Sequence, residues 1–296
     1  VGLLILPLLA GEFAVVLMTD VLIFALMAAG LHFMMSTGGL ISFGHAAFFG
    51  LGAYGAALLS SKLGVSMWLA LAAAPLIAAM GAALIGLFAV RLSGVYLAML
   101  TLAGAQILWS LGVQWQDVTG GDDGILGIWP ADSVAGTTAF YYLCFGLSVT
   151  AITAMMAAAG GRFGLLLRAT RDNAPRARAL GINVGKRRWA AIVIAGMAAG
   201  LAGGLYVFSK GSVFPGALAI PRSVDALVMV LLGGLHAPAG PIIGAGVFTL
   251  LEDSLSRLDY WRALLGTFIV AIAISAPGGI GGALSSWVTR AQRRRS

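Results

Sequence analysis

The chain has 296 residues, 60% hydrophobic and 10% charged, with a mean hydropathy of +0.97. A soluble domain of this size carries roughly 25% charged residues, so a water-soluble globular fold is excluded, and continuous apolar runs in place of short alternating strands exclude a transmembrane β-barrel. The net charge of +7 does not point to nucleic acid: twelve of the 18 Lys and Arg residues fall in two places, eight within 162–188 and four (Arg290, Arg293, Arg294, Arg295) among the last seven residues, the bias that marks cytoplasmic segments.

The chain opens on Val1, which leaves room for residues upstream, and no cleavable signal peptide can be told apart from a first span. Apolar runs long enough to cross a hydrocarbon core predict spans at 1–18, 21–36, 40–60, 66–90, 94–115, 138–160 and 189–209. A broken, re-entrant pair follows at 223–235 and 238–251, then a last span at 263–280. The expected fold class is all-α, a polytopic membrane helix bundle of about 9–10 transmembrane segments. Residues 1–296 are read as a single transmembrane domain with a cytoplasmic loop at 162–188.

Setting 162–188 and the C-terminal tail in the cytoplasm fixes the other connections. Residues 36–40 and Arg91 share that side. Asp20, Lys62, 116–137, Lys210–Arg222 and Glu252–Arg262 fall outside, provided 223–251 enters and returns at one face. The 116–137 loop agrees, with Asp117, Asp122, Asp123 and Asp132 and no basic residue. It is either a solvated loop or a surface that steers a partner by charge. Trp109, Trp115, Tyr141, Tyr142, Trp189, Trp261 and Trp287 stand at predicted span ends, where such rings prefer the interface. Forty-two glycines exceed what loops need. Gly196, Gly200 and Gly204 make two GxxxG steps, and Gly240 and Gly244 another, which predicts close helix packing or a dimer seam.

Chemistry is conspicuously missing. Gly185-Lys186 is followed by Arg187, without the Ser or Thr of a P-loop, so ATP hydrolysis is not expected of this chain. His32, His45 and His236 have no metal-ligand spacing, there is no GxSxG, and lone Cys144 allows no internal disulfide. Acids sit near span ends (Glu12, Asp225) or in a loop (Glu252), whereas an ion-coupled carrier shows an ionisable group at mid-membrane. The chain is therefore read as no enzyme and as holding no cofactor or metal of its own.

Two polar stretches remain. In 38–55, Ser42 and His45 stand among glycines that permit a helix break. They are candidates for the pathway or a subunit seam, or else for hydrogen bonds to neighbouring helices. Thr101 and Gln106 are further candidate pore groups, and Arg222 with Asp225 a candidate pair at the outer mouth. In 162–188, Asp172 or Asn173 can cap a helix that Pro175 starts and Gly181 ends, with Ile182 supplying the usual apolar contact. A helix of barely two turns at 174–180 is marginal alone. A groove on a partner would hold it, Ala177 and Leu180 inserting and Arg176 and Arg178 on the rim. Attraction of a basic loop to anionic lipid is the alternative.

Several stretches carry a family resemblance. GGLISFGHAAFFGLGAY at 38–54 is one; Arg162-Phe163-Gly164, RATRDN at 168–173 and ARALGIN at 177–183 form another. GVYLAMLTLA at 94–103, TGGDDG at 119–124, MVLLGGL at 229–235 and APGGI at 276–280 follow in order. Together they resemble the LivM-type permease of branched-chain amino acid importers of the ATP-binding-cassette class. Ala239-Gly240-Pro241 departs from a more usual Trp-Gly-Pro. The resemblance implies a bundle like the type II importers in a bacterial inner membrane. It further implies a second related permease, two cytoplasmic ATPase subunits holding ATP and magnesium, and a periplasmic binding protein. On this likeness Arg171, Asp172, Asn173, Pro175, Arg176, Ala177, Arg178, Leu180 and Gly181 would couple to the ATPase. Related permeases are assigned to urea, short amides and aromatic acids, which stay open as substrates, as does an ATP-independent facilitator.

Overall fold

In the computed structural model, which describes residues 7, 11–256, 260, 263, 264, 266–268, 270 and 278–282, the chain folds around one long helix. Helix α1 (Glu12–His32) continues through a π-helical turn at Phe33–Thr37. It is apolar nearly all round, so its natural place is the bundle interior, and Ile23, Leu26, Met27 and Leu31 are fully buried there. The expected break between spans 1–18 and 21–36 does not occur. The helix runs unbroken past Asp20, because Lys210 neutralises that carboxylate at 2.7 Å and no loop is needed to expose it. Most of 1–10, half of the predicted span 263–280, Trp261, Trp287 and the arginine-rich tail lie outside the described residues.

Among the described residues, the remaining helices longer than one turn are α2 (His45–Ser61), α3 (Met67–Ala89), α4 (Val95–Gln114), α5 (Thr137–Gly160), α6 (Arg162–Asp172), α7 (Ala174–Ala179), α8 (Val184–Lys210), α9 (Ile220–Gly233) and α10 (Gly240–Leu255). Strand β1 (Ile125–Leu126) pairs antiparallel with β2 (Ser212–Val213), tying the acidic loop to the end of α8. Among the described residues, five helices are long and apolar enough to cross a membrane: α1 with its π-turn, α3, α4, α5 and α8. The chain is an all-α polytopic membrane bundle.

Small residues set the packing. Gly196, Gly200 and Gly204 on α8 face Ala82, Ala78 and Ala74 on α3, one rung per turn. On another face of α8, a Cβ at Gly203 would run into the Phe49 carbonyl, and one at Gly52 into the backbone of Gly200. The glycine pattern thus serves contact within the chain, with α8 clasped between α2 and α3 at backbone distance. Trp189 on α8 adds a hydrogen bond from Nε1 to the Ala83 carbonyl at 3.0 Å.

Helices α9 and α10 are the broken pair. Their 14 and 16 residues reach about 21 and 24 Å at 1.5 Å per residue, short of a hydrocarbon core of about 30 Å. The turn between them sits beside α1, where His32 Nε2 donates to the Leu235 carbonyl at 2.9 Å. Their free ends meet near Asp20 and Lys210, so the pair enters and returns at one face. The molecule therefore has two distinct ends. One gathers Ser36–Gly39, Leu92 and α6–α7; the other gathers Asp20, Lys62, the 116–137 loop and Lys210.

Gly203→Val should lower the melting point of the purified protein, at a cost of about 1–3 kcal/mol for overpacking between α8 and α2. Gly146→Ala, where an added Cβ meets nothing within 4 Å of a mid-helix position, should leave it level or raise it.

Candidate functional site

Helix α6 lies across the end of the bundle. Leu167 is fully buried, Phe163 stacks on Phe33 at 6.4 Å, and Arg168 donates to the Ala159 carbonyl at 2.9 Å. A Cβ at Gly164 would strike the Ala159 carbonyl, which explains the glycine where the chain turns out of α5. Arg171 binds Asp172 at 3.0 Å and donates to the Ser36 carbonyl, and its stem packs over Gly39. Both arginines thus fasten α6 to the bundle.

Helix α7 is fixed at both ends by its own sequence. Asn173 Oδ1 accepts the Arg176 N–H at 2.9 Å, and Pro175 occupies the first turn, where a missing N–H is harmless. At the other end Gly181 takes φ +80°. Its N–H bonds the Arg178 carbonyl at 2.9 Å, and the Ile182 N–H bonds the Ala177 carbonyl at 3.0 Å, the two bonds of a Schellman closure. Asn183 then caps α8, accepting the Lys186 N–H at 3.0 Å. The result is a short knob whose shape is set before any partner arrives. Ala177, expected to insert outward, is 2% exposed and faces its own chain, while Leu180 is 74% exposed. Arg176 and Arg178 are also exposed. Beside Leu180 runs a concave surface of about 500 Å³ walled by Phe163, Leu166, Ile182 and Ala190, with Lys186 and Arg187 on its edge. The Arg187 guanidinium lies 5.8 Å from the Phe163 ring centroid. Arg188 points elsewhere. It reaches the Leu92 and Thr170 carbonyls at 3.5 Å each and ties the α3–α4 connection to α6.

Ser42, His45 and Thr101 are brought together, but in the interior rather than at a seam. Ser42 and His45 are wholly buried and Thr101 is 3% exposed. Two of their bonds go to backbone freed by the break before α2, and the third goes to the body of α1. Phe43 N–H donates to Thr101 Oγ1 at 3.2 Å, Gly44 N–H to Ser42 Oγ at 3.3 Å, and His45 Nε2 to the Met27 carbonyl at 3.2 Å. Ser223 joins them, accepting the Ala46 N–H at 2.9 Å. Sequence reading missed Ser223; its place in the first turn of a predicted re-entrant helix was the available signal. Gln106 is half-buried and makes no side-chain hydrogen bond among the described residues.

A cavity of about 470 Å³ opens at the Arg171 end between α1, α5, α6 and the α9–α10 turn. Arg168, Arg171, His32 and His236 stand at its polar side and Ile152, Met155 and Met156 at its apolar side. Sequence reading assigned none of these histidines a place.

A membrane helix bundle with a re-entrant pair and a cavity at one end has the build of a permease. Residues 13–276 match the family described as "Branched-chain amino acid transport system / permease component", and the chain belongs to that family. It is 26% identical to the high-affinity branched-chain amino acid transport system permease protein LivM of Salmonella typhimurium and 27% identical to that of Escherichia coli. Each alignment spans 93% of this chain and 71% of the relative. A more limited likeness, 28% over 51% of this chain and 37% of the relative, joins it to the xylose transport system permease protein XylH of Escherichia coli. No solved structure matches the chain.

Asn173→Ala should loosen α7 by about 1 kcal/mol. Hydrogen exchange at the Ala177–Leu180 amides should quicken about five-fold, with α8 amides beyond Trp189 unaffected.

Proposed function

We propose that the chain is a translocation subunit of an ATP-binding-cassette importer for branched-chain amino acids. It pairs with a second, related permease, receives substrate from a periplasmic binding protein and is moved by two cytoplasmic ATPase subunits, one of which seats on α7. The reading sets the chain in a bacterial inner membrane, with 162–188 and the C-terminal tail in the cytoplasm. The clustering of eight basic residues in 162–188 supports that orientation, since cytoplasmic loops carry the Lys and Arg excess.

The observation that carries the reading is the capped knob with Leu180 at its tip. A 74% exposed leucine flanked by arginines, on a helix held at both ends, has no packing role inside the chain. A free two-turn helix would lose binding energy to ordering on contact, whereas this one is ordered beforehand. Its chemistry suits a groove with an apolar floor and acidic walls on the ATPase. A chain without a P-loop needs such a surface to receive force.

Leu180→Glu should cost at least about 2 kcal/mol of docking, so that co-expressed ATPase subunits no longer co-purify and ATP-driven leucine uptake into proteoliposomes is lost. The melting point should hold, because the side chain touches little of its own chain. Normal uptake by the variant would remove α7 as the docking element.

A further inference from the structure

The 470 Å³ cavity under α6 takes no part in the docking knob, and its chemistry is graded in one direction. Three of the helices around it supply the same gradient. On α1 and its π-turn, Ala29 lies deeper in the bundle and Ser36 nearer its end. On α5, Ile152 lies about 12 Å further in than Gly160, at 1.5 Å per residue. Helix α10 runs the opposite way, so Ile242 is deep and His236, in the turn before it, is at the end. Helix α6 closes that end with Arg168 and Arg171, three residues apart and so on one face. The cavity is thus polar at the membrane's edge and apolar towards its middle.

Its charge is one-sided as well. The described residues that line it include two arginines and two histidines and no carboxylate. Asp172 answers Arg171 from outside the cavity at 3.0 Å. Arg168 is half-buried and forms no ion pair among the described residues. Its hydrogen bond to the neutral Ala159 carbonyl uses one of five guanidinium N–H donors and leaves the charge unmatched. His236 is exposed and makes no side-chain hydrogen bond among the described residues. The walls therefore favour an anion that accepts hydrogen bonds. Met156 and Ile242, 46% and 36% exposed, open the cavity sideways between α5 and α10 onto the outer surface of the bundle.

We infer that this cavity seats an anionic phospholipid, its phosphate on Arg168 and His236 and one acyl chain leaving past Met156 and Ile242. A basic pocket between membrane helices, set above an apolar floor, holds lipid head groups by this combination. The phosphate joins α6, which carries α7, to the re-entrant turn that α1 holds through His32. A zwitterionic phospholipid brings an ammonium that finds no carboxylate on these walls. A soluble phosphate ester shares the phosphate but leaves the apolar half unfilled. The inference does not depend on what the chain transports.

The test titrates the purified protein in an uncharged detergent with dioleoyl phosphatidylglycerol, dioleoyl phosphatidylethanolamine or glycerol 3-phosphate, and counts bound ligand by native mass spectrometry. Phosphatidylglycerol should bind at least about ten-fold more tightly than either of the others, the effect of one charge-assisted hydrogen bond against the first and of the buried chain against the second. His236→Ala removes an exposed side chain, so the melting point in lipid-free detergent should hold while phosphatidylglycerol weakens about five-fold. Arg168→Gln should weaken it about ten-fold, and Arg168→Lys, which keeps a phosphate-binding charge, should recover most of that loss. Phosphatidylethanolamine should respond to none of these changes. Arg91→Gln removes an exposed cation at the same end but outside the cavity, and should leave phosphatidylglycerol binding as it was. Equal binding of the two lipids, undiminished phosphatidylglycerol binding in both His236→Ala and Arg168→Gln, or an equal loss with Arg91→Gln overturns the site. Glycerol 3-phosphate binding as tightly as phosphatidylglycerol gives the cavity to a soluble phosphate ester and overturns the lipid.

Discussion

A backbone that leaves the helix inside hydrocarbon must find partners in protein, because each unmatched N–H or C=O there costs several kcal/mol. The break between α1 and α2 meets that constraint, and much of the bundle is arranged to do so. The π-turn takes back the Gly39 and Leu40 N–H groups through the Met35 and Met34 carbonyls at 3.0 and 3.2 Å. Thr101 reaches in from α4, Ser223 from α9, and Ser42 from the break itself. Gly44 is glycine because a Cβ there would strike the Thr101 carbonyl. Three helices far apart in sequence are held in register by one short irregular stretch. That is why polar residues that read as pore candidates are sealed inside.

With that stretch fixed, α8 can be gripped from two sides. The same helix presents Gly196, Gly200 and Gly204 to α3 and Gly203 to α2. Helices in lipid gain little from the hydrophobic effect on meeting, so close backbone approach and its dispersion contacts carry the association. A larger residue at any of these positions would separate the helices along their whole length. This accounts for glycine and alanine in a region where leucine would serve membrane insertion equally well.

The sequence was most informative where local rules act alone. Asn173, Pro175, Gly181 and Ile182 spell out α7 and its caps because capping depends on a few neighbouring residues. The re-entrant pair was legible from segment length and its interrupting Gly233-Gly234 and Pro238. What needed tertiary knowledge was misread or left open. Asp20 suggested a loop, since nothing local reveals that Lys210, 190 residues on, neutralises it. Ala177 suggested an outward contact, since a six-residue helix has no periodicity long enough to show which face its neighbours cover.

The two ends of the bundle are joined by one continuous helix. Helix α8 begins one residue after Asn183, whose side chain caps it, and that asparagine follows directly on the Schellman closure of α7. It runs 27 residues, about 40 Å at 1.5 Å per residue, and ends at Lys210 on Asp20. Under the reading proposed above, a displacement of Leu180 by an ATPase is delivered along this shaft without passing through a flexible joint. Contiguity alone is not coupling, which requires an element with two arrangements that both ends bias.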